Sequence, residues 1–142
     1  MSIFPTAILL ATDGSREGEL AATTAVGLAK STNSELHVVH VGEFLPTMLA
    51  QTEEEPAQPE REAREQLDEQ LRRIEEAGGT VKEVHLRLGR ADEGIVDVAH
   101  ELGAGFIVMG SRGHSRMRWA LMGSVSDSVV RHTHCPVTIV RE

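Results

Sequence analysis

Two glycine-containing segments near the end of the chain have the spacing of an anion-binding loop. Gly110-Ser-Arg-Gly113 is followed, after nine residues, by Gly123-Ser124. Glycines let peptide N–H groups approach a phosphate because no Cβ lies in the way, and the unpaired N–H groups of a helix start add partial positive charge. The spacing is neither that of a Walker loop nor that of the dinucleotide-binding glycine pattern. It predicts a phosphate cradle of another type.

A second polar cluster, Thr12-Asp13-Gly-Ser15, follows the first apolar run of the chain. Asp13 could form an Asp-Gly turn or lie beside a ribose or a phosphate-bound Mg²⁺, and we prefer the second interpretation. Ser15 is a candidate helix N-cap. Ser124, with Asp127 three residues later, fits a capping pattern too, and that role is compatible with phosphate contact because a helix start itself attracts anions.

The elements that position these residues follow from the alternation of apolar runs and helical periodicities. Strands are predicted at residues 7–12, 35–41, 80–88, 106–109 and 136–140, with helices at about 15–29, 63–77, 91–102 and 124–132 and a long exposed connection at 42–59. The alternation predicts one α/β domain over residues 1–142: an open, Rossmann-like parallel sheet of five strands in the order 3-2-1-4-5, with helices on both faces. Such sheets bind ligands where the strand order reverses, here between strands one and four.

The charge distribution excludes some classes of partner. The net charge is −8, so we expect neither nucleic-acid nor anionic-membrane binding, since phosphate backbones demand a basic surface. Residues 53–76 hold ten of the 22 acidic residues and form a predicted solvated helix face. Arginines 112, 116 and 118 instead cluster in the glycine loop, which suits a small anionic ligand; the alternative is that they only solvate a surface loop.

Cysteine and histidine add little chemistry. Cys135 is the single cysteine, which excludes an intramolecular disulfide, and no apolar run approaches a signal or membrane-spanning length, so we expect a cytoplasmic protein. His132-Thr-His-Cys135 has poor spacing for a tetrahedral metal site and is interpreted as the end of the last helix followed by a packed cysteine. We interpret His37 and His40, on the second strand, as structural.

Several segments together resemble the universal stress protein family over essentially the whole chain. They are Leu-Leu-Ala-Thr-Asp13-Gly-Ser, Val-Val-His-Val41, Ile-Val-Met109-Gly110-Ser-Arg-Gly113, Met122-Gly123-Ser124-Val-Ser and His-Cys-Pro136-Val-Thr-Ile-Val. The glycine spacing matches the nucleotide-binding subclass of that family. The resemblance implies a domain that binds ATP with Mg²⁺, dimerises through the last strand, Pro136 to Val140, and serves in stress adaptation with an unknown protein partner.

The resemblance also implies a role for each matching residue. Asp13 would lie near ribose, triphosphate and metal, and the backbone of Val41 would read the adenine edge. The remaining residues divide into those lining the pocket (Ala11, Thr12), those bordering ribose and phosphates (Met109, Gly110, Arg112, Gly113) and those gripping the phosphate chain (Gly123, Ser124, Val125, Ser126).

The leading hypothesis is a nucleotide-dependent regulator with no catalytic residue. One alternative is a slow Mg-dependent ATPase, for which His114 is the nearest candidate base. Another is a dimeric interaction scaffold that uses no nucleotide, which the intact glycine spacing disfavours. A nucleotidyl-transferring enzyme is disfavoured because the turn at Asp13-Gly-Ser15 is too short to wrap a pyrophosphate.

Overall fold

The computed structural model describes residues 2–42, 58–111 and 123–141, in which strands and helices alternate. The elements are β1 Ala7–Ala11, α1 Arg16–Thr32, β2 Glu35–Gly42, α2 Gln58–Glu76, β3 Val81–Leu88, α3 Ala91–Leu102, β4 Phe106–Gly110, α4 Ser124–His132 and β5 Val137–Val140. The predicted connection at 42–59 falls mainly on residues outside the described ranges. The second helix begins at Gln58, earlier than predicted, since Pro59 in a first helical turn sacrifices no hydrogen bond.

All strand pairs are parallel, and the sheet order is β3-β2-β1-β4-β5. The predicted α/β class and strand order are therefore confirmed. β1 is the central strand, with Ile8 paired to Leu36 of β2 on one side and to Phe106 of β4 on the other. The carboxyl ends of β1 and β4 therefore lie next to each other at the same edge of the sheet.

The core has two halves, one on each face of the sheet. Ile8 and Leu10 of β1 pack with α1 and α2, whereas Leu9 and Ala11 pack with α3 and α4. All four side chains are at most 8% exposed. A central strand covered on both faces has no solvent side, which explains why β1 is apolar without alternation.

Within the described ranges, no helix combines the length and apolar character needed to cross a membrane. The longest described helix, α2, buries Ala63, Leu67 and Ile74 along one stripe and is otherwise rich in charge. That stripe packs α2 against the sheet.

Candidate functional site

A cleft of about 620 Å³ opens at the carboxyl ends of β1 and β4. After β1 the chain enters α1 on one face of the sheet, and α4, the helix that follows β4 in the described chain, packs on the other face. Adjacent strands whose following helices lie on opposite faces leave a crevice between them. The volume lies within the roughly 300–1,000 Å³ typical of small-molecule sites.

Ten of the twelve residues predicted to bind nucleotide line this cleft. They are Ala11, Thr12, Asp13, Val41, Met109, Gly110, Gly123, Ser124, Val125 and Ser126. The other two, Arg112 and Gly113, lie outside the described residues, as do His114, Arg116 and Arg118. The structure thus brings together the predicted residues that it describes, while their contribution to binding stays a prediction.

The turn from β1 into α1 is closed by its own side chains. Asp13 Oδ1 accepts a hydrogen bond from the Ser15 backbone at 2.9 Å, and Ser15 Oγ accepts one from the Gly18 backbone at 3.1 Å. Ser15 is therefore the N-cap of α1, as predicted. A Cβ on Gly18 would lie 2.8 Å from Asp13 Oδ1, so only glycine leaves that carboxylate in place. The Asp-Gly turn is present, with Gly14 at φ 80°, and Asp13 also lines the cleft.

Ser111 joins the two glycine segments. Its carbonyl accepts a hydrogen bond from the Gly123 backbone at 2.6 Å and another from the Ser126 hydroxyl. On its other side, the Ser111 backbone N–H and hydroxyl both donate to Glu17 Oε2, the N–H at 3.0 Å. Ser111 is 1% exposed and Glu17 is 5% exposed. This buried network fixes the end of β4 against the starts of both α1 and α4.

The start of α4 has no side-chain cap. Its N-cap is Gly123, in extended conformation, and no capping side chain accepts a hydrogen bond from the N–H groups of the first turn. The predicted capping role of Ser124 is wrong, because Ser124 is already the first helical residue. The backbone of the first turn lines the cleft without a serine or aspartate cap from the same segment, which is the arrangement that attracts an anion.

Beyond the end of β1, the backbone of Val41 faces the cleft. The carbonyl of Val39 accepts from the Thr12 backbone at 3.2 Å, so it points towards β1, and the carbonyl of Gly42 accepts from Gly89, so it points the other way. Backbone polar groups alternate along a strand, which directs those of Val41 to the β1 side. Because the register with β1 ends at Val39, these groups meet the cleft instead of a strand.

His40 was interpreted as structural, yet it lines the cleft. Its Nδ1 lies 3.0 Å from the Thr12 carbonyl and its Nε2 lies 3.1 Å from the Gln66 side-chain amide. The carbonyl fixes the proton on Nδ1, and Gln66 then meets Nε2 with its oxygen if the ring is charged or with its NH₂ group if it is neutral. His40 thereby links β1 to α2 at the wall of the cleft.

Sequence reasoning missed the residues that support the cleft from the helices. α2 and α3 contribute Ala63, Gln66, Ala91 and Ile95 to its walls. Glu17 was missed as well, although it stands at i, i+4 and i+8 spacing with Ala21 and Ala25 on the buried face of α1. An acid on an otherwise apolar face signals a buried partner.

The family model described as "Universal stress protein family" matches residues 6–141. A protein of Staphylococcus aureus (strain USA300) assigned to the universal stress proteins is 34% identical over 139 residues, covering 94% of this chain and 82% of its own length.

Two solved structures of universal stress proteins with bound nucleotides are also similar. One, from Archaeoglobus fulgidus in complex with dAMP, is 28% identical with a TM-score of 0.67 and covers 98% of this chain and 99% of its own. The other, in complex with cAMP, is 26% identical with a TM-score of 0.71 and covers 97% and 98%. Since the family model spans nearly the whole sequence, this chain belongs to the universal stress protein family.

Proposed function

We propose that this protein binds an adenine nucleotide in the cleft between β1 and β4, with Mg-ATP as its ligand, and acts as a nucleotide-dependent regulator in stress adaptation. The single observation that carries the proposal is the hydrogen bond from the Gly123 backbone to the Ser111 carbonyl. That contact brings the two glycine segments to one place, under an uncapped helix start. Family members of similar fold in complex with dAMP and cAMP support the choice of an adenine nucleotide.

The two ends of the cleft suit the two ends of a nucleotide. Backbone N–H groups of the first turn of α4 would hold the phosphates. The Val41 backbone, which offers a donor and an acceptor, would pair with the edge of the base. Because pyrimidines present a shorter edge with a different order of donors and acceptors, we expect ATP to bind more tightly than CTP.

Asp13 suits a metal that accompanies the phosphates. Mg²⁺ prefers oxygen ligands and is commonly held by one carboxylate plus phosphate oxygens. Asp13 presents its carboxylate at the wall of the cleft, so it would hold Mg²⁺ beside the phosphates and offset their repulsion from the acid. Asp13→Asn is therefore expected to reduce the difference in affinity between ATP with and without Mg²⁺.

Calorimetric titration with Mg-ATP tests the proposal. Gly123→Val places a branched side chain at the start of α4 and should weaken binding by at least about tenfold, which corresponds to about 1.4 kcal/mol. Gly27→Val is the matched control, because Gly27 lies on the exposed face of α1 with nothing within 4 Å of an added Cβ. Thermal unfolding of both variants verifies that they fold.

Two outcomes would overturn the proposal. One is the absence of heat and of any thermal shift at millimolar nucleotide, which would favour the scaffold that uses no nucleotide. The other is unchanged affinity in a folded Gly123→Val protein. Phosphate release from Mg-ATP, compared between the wild-type protein and His114→Ala, measures whether the slow ATPase alternative applies.

A homodimer and a cytoplasmic location are parts of the same proposal. β5 is an edge strand, paired to β4 on one side only among the described residues. The unpaired backbone groups of an apolar edge favour pairing with a second copy. Light scattering at micromolar concentration should give the mass of a dimer, and the mass of a monomer would refute this part.

A further inference from the structure

Three side chains able to bind a metal ion lie together on β2 and β3, away from the cleft. His37 of β2 is paired with Glu83 of β3, and His85 follows two residues after Glu83. Paired and i+2 residues of parallel strands share one face of the sheet, so all three point to the same side. Val39, two residues after His37, belongs to the core half beneath α3 and α4, which identifies the face.

The ligand atoms of these residues are close to coordination distance. One atom from each of His37, Glu83 and His85 lies within 4.8 Å of the others. The two imidazole rings are nearly parallel, with centroids 6.0 Å apart and planes inclined by 28°. A tetrahedral ion with ligands at about 2.1 Å holds them about 3.4 Å apart, so side-chain rotations moving each atom by about 1 Å would close the site.

The buried imidazole nitrogens lack partners. The His37 side chain is 4% exposed, and neither its Nδ1 nor its Nε2 makes a hydrogen bond within the described residues. The buried Nε2 of His85 also makes none there. His37 Nε2 lies 3.5 Å from the Glu35 carboxylate, too far for a good hydrogen bond. A buried polar atom without a hydrogen bond costs about 1–3 kcal/mol, so three such nitrogens in one place favour binding of an ion that they could coordinate.

The pairing of β2 with β3 is irregular beside His37. The register between β2 and β3 shifts between Leu36 and His37. Such irregularities re-aim side chains and are over-represented beside functional sites. The shift sets His37 opposite Glu83 in the register.

We propose that His37, Glu83 and His85 bind one divalent transition-metal ion, with water or Glu35 as the fourth ligand. Two imidazoles and a carboxylate are a donor set that Zn²⁺ accepts. The ion would tie the edge strand β3 to β2.

The proposed site is independent of the nucleotide cleft. None of His37, Glu83 and His85 lines the cleft, and the nearest β2 residues that do, Val39 and His40, lie two and three positions beyond His37, about 7 and 10 Å along a strand. The run His132-Thr-His-Cys135 does not form a comparable group among the described residues. Failure of nucleotide binding would therefore leave this proposal intact, and the reverse is also true.

Titration of untagged, chelator-treated protein with Zn²⁺ tests the site. We expect one ion per chain by calorimetry, and Co²⁺ should give the visible absorption of a low-symmetry site. Glu83→Gln and His85→Gln should each weaken Zn²⁺ binding by at least about tenfold. Glu83 is exposed, so its substitution leaves the core unchanged, while His132→Gln, on the exposed face of α4, is the matched control.

The variants also distinguish this site from other places where the protein could bind Zn²⁺. Zn²⁺ binding that is absent at micromolar ion, or equal in Glu83→Gln, His85→Gln and wild-type protein, overturns the proposal. Binding that is lost only in His132→Gln overturns it too and assigns the ion to the end of α4. Mg-ATP affinity, measured on the same Glu83→Gln protein, should stay within twofold of the wild-type value.

Discussion

The starts of α1 and α4 border the same cleft but are built in opposite ways. α1 begins after Ser15, whose hydroxyl accepts the Gly18 N–H, and Asp13 in turn accepts the Ser15 N–H. α4 begins after Gly123, and no capping side chain accepts from its first N–H groups. One helix start is satisfied by its own sequence, and the other offers its N–H groups to the cleft.

The difference shows that the residue at the N-cap decides whether the first N–H groups of a helix are bonded within the fold or remain available to a ligand. A serine cap stabilises a helix by about 1 kcal/mol and occupies a donor, whereas a glycine cap provides no side-chain acceptor and leaves the first turn accessible. Both starts are nevertheless held by one buried link, Glu17 to Ser111 to Gly123. The capped start of α1 thereby helps to position the uncapped start of α4.

The largest expected effect comes from removing that link. Glu17→Ala leaves the buried Ser111 hydroxyl without its acceptor and creates a cavity, so we expect a loss of about 3 kcal/mol in the free energy of unfolding. Urea denaturation measures the loss. Glu19→Ala is the control two residues away: Glu19 is half exposed and pairs with Arg73, a contact worth less than about 1 kcal/mol. Equal losses in both variants would contradict the role assigned to Glu17.

The start of α3 is an intermediate case, because a side chain of the neighbouring helix α4 bonds to it. Asp92, in the first turn of α3, accepts from Ser128 of α4 at 2.8 Å and from Arg90. Burial alone would raise the pKa of Asp92, but hydrogen bonds from Ser128, Arg90 and the Glu93 backbone, with the charge of Arg90, lower it below its ordinary value of 3.8. We expect Asp92→Asn to cost about 1–2 kcal/mol at neutral pH.

The pH dependence of that cost checks its origin. A carboxyl whose pKa is lower in the folded state stabilises the protein fully above its unfolded pKa, and this contribution disappears as the pH falls through the folded value. The difference in unfolding free energy between wild type and Asp92→Asn should therefore shrink in acid, below about pH 4. A difference that grows on acidification would show that hydrogen bonding to the charged carboxylate is not the cause.

Removal of the α1 cap should have a smaller effect. Ser15→Ala leaves the Gly18 N–H without its acceptor and should reduce stability by about 1 kcal/mol. Thermal or urea unfolding measures this loss. Stability equal to that of the wild type would mean that Ser15 does not stabilise α1 as a cap. The two helix starts would then not differ in the way described.

The smallest effect on stability is expected at the other helix. Ser124 is not a cap, so Ser124→Ala should change the free energy of unfolding by less than about 0.5 kcal/mol. If the α4 start binds phosphate, the same variant should weaken Mg-ATP binding severalfold because a hydroxyl at the cleft is lost. A stability loss as large as that of Ser15→Ala would contradict the assignment of Gly123 as the cap.

Much of the fold and of the cleft could be predicted because the signals are local. The apolar run of β1, the glycines after β4 and the helical periodicity of α2 each predict the element in which they lie. Because the strands are parallel, Asp13 and Gly110 then lie at the same edge of the sheet. The bounds of α4 were predicted correctly, but its N-cap was assigned to Ser124 instead of Gly123, since both residue types are acceptable caps and only the backbone conformation distinguishes them.

By itself, the sequence determined the order of the elements, the class of sheet and the strand ends that meet at the cleft, because hydrophobic periodicity and right-handed crossovers leave few arrangements. Only the tertiary structure decided that Glu17 reaches Ser111, 94 residues away, that His40 lines the cleft, and that His37 lies opposite Glu83 and beside His85. These contacts join distant residues through packing and a shift in strand register. Neither leaves a periodic trace along the chain.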